Sequence, residues 1–362
     1  MKQQPKYMKI VEWVKSRVES GSIKPGEKLN SENELTEMFE LSRQTVRHAI
    51  SILEKDGIIE KRQGSGTYIS NVFNRKRMEN TMNIAVVTTY VDDYIFPSIL
   101  KGMEEVISDA GYTLQIAFTH NSVEKEYNVI KNILDRNMVD GIIVEPTKSG
   151  IPNPNVELYN EIVKRNIPAI FFNSYYPEIQ IPHVVLNDKV AGYKATQYLI
   201  EVGHTRISAI FKSDDRQGHL RYAGYVEALS EARLRLFDEN VLWIDTEDLR
   251  GLTLESKRVL KRLKDTTGCI CYNDEVAQAV VKICGKHDIK VPKDLSIVSI
   301  DNSDIAVNCE VPLTSVAHPT IKLGKMAATN LIKMIKGEIL DANYEFEPEI
   351  TKRNSVKILN EK

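Results

Sequence analysis

Residues 31–47 read SENELTEMFELSRQTVR, and this stretch predicts two short helices joined by a tight turn. Ser31 followed by Glu34 is a capping-box pattern, in which each side chain bonds the other residue's backbone N–H at a helix start. Residues 40–41 then form the turn, and Ser42 is suited to cap the next helix. Consecutive short helices with this spacing predict a helix-turn-helix.

The flanking segments predict a winged version of the motif. An earlier helix is indicated by apolar residues at helical spacing, namely Tyr7, Ile10, Val11, Val14 and Val18. After the motif, residues 58–62 and 67–69 read as strands around the glycine-containing turn 63–66. We therefore expect a winged helix-turn-helix domain over residues 1–70.

The second helix of the motif has a polar face. Its apolar stripe consists of Val46, Ala49, Ile50 and Leu53. Gln44 and Arg47 point away from that stripe, and Arg43 lies at its edge. The first residues of such a helix meet base edges in the major groove, where arginine can bond guanine O6 and N7. The alternative is a protein contact motif whose arginines are merely solvated.

Charge is distributed unevenly along the chain. The whole sequence has a formal net charge of -2, which alone argues against binding nucleic acid. Residues 1–80, however, hold 15 Lys and Arg against 11 Asp and Glu, and the remainder holds 33 against 39. This indicates a basic module on an acidic body. The polar segment 71–82 predicts a linker, and we leave its basic run 75–77 outside the site.

Short apolar strands alternate with amphipathic helices beyond the linker. The strands fall at residues 84–87, 114–116, 141–144 and 169–172, and the pattern restarts at 207–211, 269–271 and 297–300. This rhythm predicts an α/β domain over residues 83–362, with two lobes that each contain a doubly wound parallel sheet.

Ligands of such sheets bind at the carboxyl ends of the strands, so the loops there supply candidate effector residues. Their mixture of flat apolar surface and hydrogen-bonding groups suits a sugar. The candidates are Asp93, Tyr94, Ile95, Phe96, Glu145, Lys148, Asn173, Arg221, Asn273, Asp274, Asp301 and His318. Arg221 is expected to open a helix. Individually, Asn273 or Asp301 could cap a helix, Phe96 could be core, and His318 could lie at the surface.

Several classes of protein are disfavoured by the sequence. The four cysteines lack zinc-like spacing and are expected to be buried thiols. Nucleotide-binding loops, nucleophile elbows and metalloprotease motifs are missing, so we expect no catalytic residue, no metal and no cofactor. With neither a signal sequence nor a membrane-spanning run, a cytoplasmic protein is expected rather than an exported transport component.

The head resembles the DNA-binding domain of the GntR repressor family in residues 31–35, 42–47 and 62–68. That resemblance implies that DNA contacts Glu32, Arg43, Thr45, Arg47, Gln63, Gly64 and Gly66. We add Gln44 from the helix face, and Lys6 and Tyr7 as phosphate contacts at the start of the first helix. Asn30 stands where the family usually has proline, a departure that should not alter the groove contacts.

The body resembles LacI-type regulators and periplasmic sugar-binding proteins in residues 93–96, 221–225, 271–275, 299–302 and 313–316. The resemblance implies a two-lobed cleft, with ligand contacts at Asp93, Ile95, Phe96, Asn173, Arg221, Asn273, Asp301 and His318. The family often has Asn-Pro-Phe-Phe where this chain has residues 93–96, so the stacking surface for a sugar differs.

In residues 88–90, 93–98 and 144–149, and in joining a GntR-type head to a LacI-type body, the chain resembles the arabinose-responsive repressors of bacilli. This implies a homodimer that binds double-stranded operator DNA and releases it when L-arabinose enters the cleft. Another pentose or a purine is the alternative effector. A sugar-processing enzyme is the alternative function.

Overall fold

The computed structural model describes residues 5–19, 22–24, 26–55, 58–62, 65–70, 81–91, 94–338 and 341–359. The chain divides into two compact units, Met1–Thr81 (the head) and Met82–Lys362 (the body), which are described separately. Three of the predicted site residues, Gln63, Gly64 and Asp93, lie outside the described residues, as does most of the predicted linker.

The head contains the predicted helices and hairpin. Its elements are α1 Met8–Glu19, α2 Glu32–Phe39, α3 Arg43–Lys55, β1 Ile59–Arg62 and β2 Gly66–Ile69. The capping box is confirmed, because Ser31 Oγ accepts from the Glu34 N–H at 3.3 Å and Glu34 Oε2 accepts from the Ser31 N–H at 2.7 Å. The strands β1 and β2 pair antiparallel. The winged helix-turn-helix is therefore confirmed.

The apolar stripe of α3 forms the centre of the head's core. Its predicted members, Val46, Ala49, Ile50 and Leu53, are all buried. They pack with apolar residues of α1 and with Leu35 of α2. Burial of this stripe fixes which face of α3 is turned to solvent.

The body alternates strands and helices along the chain. In its first part the elements are β3 Asn83–Thr88, α4 Phe96–Asp109, β4 Thr113–Phe118, α5 Val123–Arg136, β5 Gly141–Val144, α6 Val156–Lys164, β6 Ala169–Phe172 and β7 His183–Leu186. They continue with α7 Asp188–Glu201, β8 Ile207–Lys212, α8 Arg216–Glu231, β9 Val241–Ile244, α9 Thr246–Gly251 and α10 Ser256–Leu263. The last are β10 Gly268–Cys271, α11 Asp274–Lys286, β11 Ser296–Asp301, α12 Asp304–Asn308, β12 Thr314–Ala317, α13 Thr320–Ile335, β13 Tyr344–Phe346 and β14 Glu349–Thr351.

These strands form two six-stranded sheets, as the two-lobe prediction requires. The first lobe has the order β13-β7-β6-β5-β3-β4, and the second has β14-β12-β11-β10-β8-β9. All neighbours are parallel except β12 and β14. The chain crosses between the lobes after β7, after β12 and after β13. Within the described part of the chain, no helix combines the length and apolar character that crossing a membrane requires.

Candidate DNA-binding surface and effector cavity

The N-terminal half of α3 presents its polar side chains to solvent. Arg43, Gln44 and Arg47 are exposed, and Thr45 is half-buried. Arg47 donates from Nε to Glu32 Oε2 at 2.8 Å, so the first residue of α2 holds the guanidinium in place. This bond leaves the two terminal NH2 groups of Arg47 available to other acceptors.

Two further parts of the head adjoin this helix. Tyr7 packs edge-on against His48 of α3 with ring centroids 4.6 Å apart, and the exposed Lys6 precedes it. In the wing, Gly66 has a φ of +120°, and a Cβ placed there would come within 2.7 Å of the Lys28 side chain. Tyr7 thus lies beside His48, and Gly66 lies beside Lys28, two residues that our sequence reasoning did not select.

A cavity of about 420 Å³ lies in the body, and we call it the effector cavity. It is lined from both lobes, at the carboxyl ends of strands such as β6 and β11. Eight of the predicted effector residues line it, namely Tyr94, Ile95, Phe96, Glu145, Asn173, Arg221, Asn273 and Asp301. These residues are far apart in the sequence, and the fold brings them together at the strand ends where the prediction placed them.

Arg221 is a buried cation in the wall of the effector cavity. It lies in the second turn of α8, which begins at Arg216, so the expectation that Arg221 opens a helix was wrong. Its guanidinium donates to Asp188 at 2.8 Å, to the Tyr272 carbonyl at 2.6 Å and to Asp301 at 3.2 Å. Burial raises the pKa of Asp188 to about 6, although the ion pair with Arg221 opposes that shift.

Glu145 and Asn173 form a buried pair on the wall supplied by the first lobe. Glu145 accepts from the Thr88 hydroxyl at 3.0 Å and from the Thr89 backbone N–H at 2.8 Å. Asn173 Nδ2 donates to its other oxygen at 2.8 Å. Burial raises the pKa of Glu145, and these hydrogen bonds oppose the increase.

Tyr94 connects the two lobes across the cavity. Its hydroxyl donates to Asp301 Oδ2 at 2.6 Å and accepts from the Asp274 backbone N–H at 3.2 Å. A second connection runs from Asn121 Nδ2 to the Thr246 hydroxyl at 2.6 Å. Both bonds require the lobes to be close together.

Three predicted effector residues are not among those that line the cavity. The Lys148 backbone N–H donates to Asn121 Oδ1 at 2.9 Å, which fixes the loop after β5. The Asp274 carboxylate accepts from the Ser303 N–H at 2.7 Å and the Ser315 hydroxyl at 2.8 Å, and burial raises its pKa to about 6. It therefore ties the start of α11 to the loop that follows β11 and to β12 itself.

His318 is the third of these residues and is buried at the crossover after β12, not at the surface. Neither ring nitrogen has a hydrogen-bond partner among the described residues. Burial lowers the pKa of His318 to about 4. The charges of Asp301 and Arg221 also act on this pKa, and both of these residues do line the cavity.

The structure adds lining residues that our sequence reasoning missed. Lys212 ends β8 and bonds Asp215 at 2.7 Å, and the Tyr272 hydroxyl donates to the same carboxylate at 3.0 Å. The strand-end rule applied to β8 would have found Lys212 and Asp215. Tyr90 also lines the cavity, so aromatic faces and fixed polar groups occur together, as recognition of a polyhydroxylated ligand requires.

The described residues provide neither a metal site nor a disulfide bond. No group of His, Cys, Asp and Glu there could hold a metal ion. The four cysteines are buried and unpaired, as the sequence predicted.

Comparison with known proteins identifies both parts of the chain. Residues 6–69 match the family described as bacterial regulatory proteins, gntR family, and residues 196–356 match the periplasmic binding protein-like domain. The solved structure of the transcription regulator CcpA of Lactococcus lactis is 26% identical, with a TM-score of 0.69 over 76% of this chain and 99% of that one.

Two curated relatives span nearly the whole chain. The arabinose metabolism transcriptional repressor of Halalkalibacterium halodurans is 36% identical over 97% of this chain and 96% of the relative. That of Geobacillus stearothermophilus is 37% identical over 98% of each. These matches make the chain a DNA-binding transcriptional regulator and not an enzyme. The chain belongs to the family of the arabinose metabolism transcriptional repressors, in which a GntR-type head is joined to a periplasmic binding protein-like body.

Proposed function

We propose that this repressor acts in the cytoplasm as a homodimer whose two heads bind a pseudo-palindromic operator, and that L-arabinose in the effector cavity releases it. The arabinose-related names of the two full-length relatives support the choice of sugar. A symmetric operator matches the two-fold symmetry of a dimer, with one α3 in each major groove. Arg43, Gln44, Thr45 and Arg47 would face the bases, and Lys6 and Tyr7 the phosphates.

The observation that carries this proposal is the position of the effector cavity between two lobes. Arg221 and Asp301 supply charged groups from the second lobe, and Glu145 and Asn173 supply polar groups from the first. A ligand that bonds both walls favours the closed arrangement of the lobes over an open one. If closure changes the spacing of the heads in a dimer, then sugar and operator each weaken binding of the other.

The direct test is a titration of the full chain with a fluorescent operator duplex that has been selected from a random pool. L-Arabinose is then added at saturating concentration. We expect the operator affinity to fall severalfold with sugar, and the affinity for sugar to fall by the same factor with operator. An operator affinity that does not change at saturating sugar contradicts induction.

Two matched variants separate the parts of the function. Arg47→Ala should weaken operator binding and keep L-arabinose binding, whereas Asn173→Ala should keep operator binding and respond only at higher sugar concentrations. Calorimetry with a panel of pentoses, hexoses and nucleobases identifies the effector. Tight binding of a purine instead of L-arabinose would replace the sugar in this proposal while leaving the repressor mechanism intact.

The dimer is tested by sedimentation equilibrium of the full chain, with and without operator and sugar. We expect a dimer in the absence of DNA. One head has only a modest positive charge and should bind DNA weakly by itself. Two heads held together gain affinity through their effective concentration. A monomer that binds a single half-site with full affinity would contradict the dimer.

A further inference from the structure

We propose that Glu145 is a positioning residue: it holds the side-chain amide of Asn173 so that Oδ1 faces the effector cavity and accepts a hydrogen bond from one sugar hydroxyl. This inference rests on the proposed function, since it specifies how the cavity chooses its sugar.

Both residues of the pair are buried. Asn173 is 2% exposed and Glu145 is 7% exposed, and both line the effector cavity. Asn173 Nδ2 donates to Glu145 Oε1 at 2.8 Å, whereas Asn173 Oδ1 is buried with no hydrogen-bond partner among the described residues. A buried acceptor without a donor is costly, so this oxygen requires a donor from the ligand or from water.

The orientation of the amide follows from the chemistry of the carboxylate. An ionised Glu145 only accepts hydrogen bonds, so the side chain of Asn173 must turn its NH2 group toward it. The other oxygen, Oε2, is already held by the backbone N–H of Thr89 at 2.8 Å and the Thr89 hydroxyl at 2.6 Å. The Thr88 hydroxyl adds a contact at 3.0 Å. Glu145 therefore cannot rotate away from Asn173 without breaking these bonds.

The backbone of Asn173 supports the same arrangement. It follows β6 directly and has a φ of +60°, in the left-handed region that asparagine tolerates better than most residues. The position thus combines a special backbone conformation, a fixed amide and a free acceptor, a combination that is typical of a binding site. The matching ligand group is a hydroxyl that can donate, which a fluorine atom or an ether oxygen cannot do.

The substitution Glu145→Gln reverses this arrangement. The Thr89 backbone N–H can only donate and lies 2.8 Å from Oε2, so an oxygen must stay at that position and the new NH2 group must occupy the position of Oε1. It then donates to Asn173 Oδ1, and the Asn173 amide turns its own NH2 group toward the cavity. The wall of the cavity changes from an acceptor to a donor with almost no change in shape.

The experiment compares the full chain with Glu145→Gln and Asn173→Ala, using calorimetry with L-arabinose and its monodeoxyfluoro analogues. The control is Glu161→Gln, the same chemical change on the partly exposed surface of α6 in the same lobe. We expect one analogue to bind the wild-type and control proteins about tenfold more weakly than L-arabinose, the usual cost of one lost hydrogen bond. In Glu145→Gln and Asn173→Ala, this analogue and L-arabinose should bind with similar, reduced affinity.

A purely structural role for Glu145 would weaken every sugar by the same factor and leave the discrimination unchanged, which overturns the proposal. If Glu145→Gln does not fold, Asn173→Ala decides alone, and discrimination that persists in it also overturns the proposal. A wild-type protein that binds L-arabinose without discriminating against any analogue overturns only this inference. A wild-type protein that binds no pentose overturns the proposed sugar effector as well.

Discussion

The guanidinium of Arg47 on α3 is bonded through Nε to the carboxylate of Glu32 on α2, across 2.8 Å. Both side chains are accessible, with Arg47 69% exposed and Glu32 37% exposed. An exposed ion pair of this kind contributes little to stability, about 0–1 kcal/mol. Its value to the protein lies in orientation, because it fixes an arginine that is otherwise free to sample many rotamers.

Arg47→Ala should therefore weaken binding to the selected operator by about 1–3 kcal/mol and relax the base preference at one position in each half-site. Fluorescence anisotropy with the selected operator and with random duplexes measures both effects. Lys55→Ala is the control, since it removes a positive charge from the exposed C-terminal end of the same helix. Equal losses on selected and random DNA would mark Arg47 as a phosphate contact.

The role of Glu32 is tested by combining its substitution with that of Arg47 and measuring operator affinity. If Glu32 orients Arg47, then Glu32→Gln should weaken operator binding much less in an Arg47→Ala background than in the wild type. Additive losses would indicate that Glu32 contacts DNA independently of Arg47.

The head could be predicted from sequence almost completely, because its signals are local. The capping box needs only Ser31 and Glu34, and the stripe of α3 repeats at helical spacing. The bond between Glu32 and Arg47 could not be predicted, since it depends on how α2 packs against α3. That packing is a tertiary property, which spacing within each helix does not determine.

Gly66 provides a prediction about the wing of the head. Its φ of +120° strains any residue with a side chain, and a Cβ would also displace Lys28. Gly66→Ala should destabilise the wing by about 1–3 kcal/mol and weaken operator binding. Hydrogen exchange of the amides in β2, including that of Ile69, should become faster. Gly251→Ala is the control, because nothing lies within 4 Å of its Cβ position.

The candidate site in the body was harder to predict than the fold. Strand ends are visible in the sequence, so Glu145, Asn173 and Asp301 could be selected from the pattern. The strand pattern could not separate residues that face the cavity from those behind it. Asp274 begins α11 directly after a strand, yet its carboxylate bonds the Ser303 and Ser315 side chains away from the cavity.

Tyr94 supplies a prediction about the body, because its bond to Asp301 forms only when the lobes are close. Hydrogen bonds to charged groups stabilise by about 1.5–3 kcal/mol, so Tyr94→Phe should favour the open arrangement. Calorimetry with L-arabinose should show an affinity that is lower by roughly tenfold. Tyr193→Phe is the control, since its hydroxyl bonds Glu231 within the second lobe. Tighter sugar binding by Tyr94→Phe would mean instead that the hydroxyl competes with the sugar for Asp301.

His318 gives a prediction about pH. Burial lowers its pKa to about 4 in the folded protein, below the value of about 6.5 that is typical of an unfolded chain. The unfolded chain therefore binds this proton more tightly. Its contribution to stability is complete above about pH 6.5 and is lost as the pH falls toward 4. Asp188 and Asp274, with pKa values raised to about 6, act in the opposite direction, because their contribution is lost as the pH rises through 6.

Comparing the wild type with His318→Gln isolates the histidine, since both proteins retain Asp188 and Asp274. Urea unfolding at about pH 7 and about pH 5 should show that the wild type loses about 2 kcal/mol more than the variant between the two conditions. His287→Gln, at an exposed position of the body, is the matched control. A difference between wild type and His318→Gln that does not change with pH would mean that His318 takes up its proton equally well in the folded and unfolded chains. In that case a partner must compensate its burial at the crossover after β12.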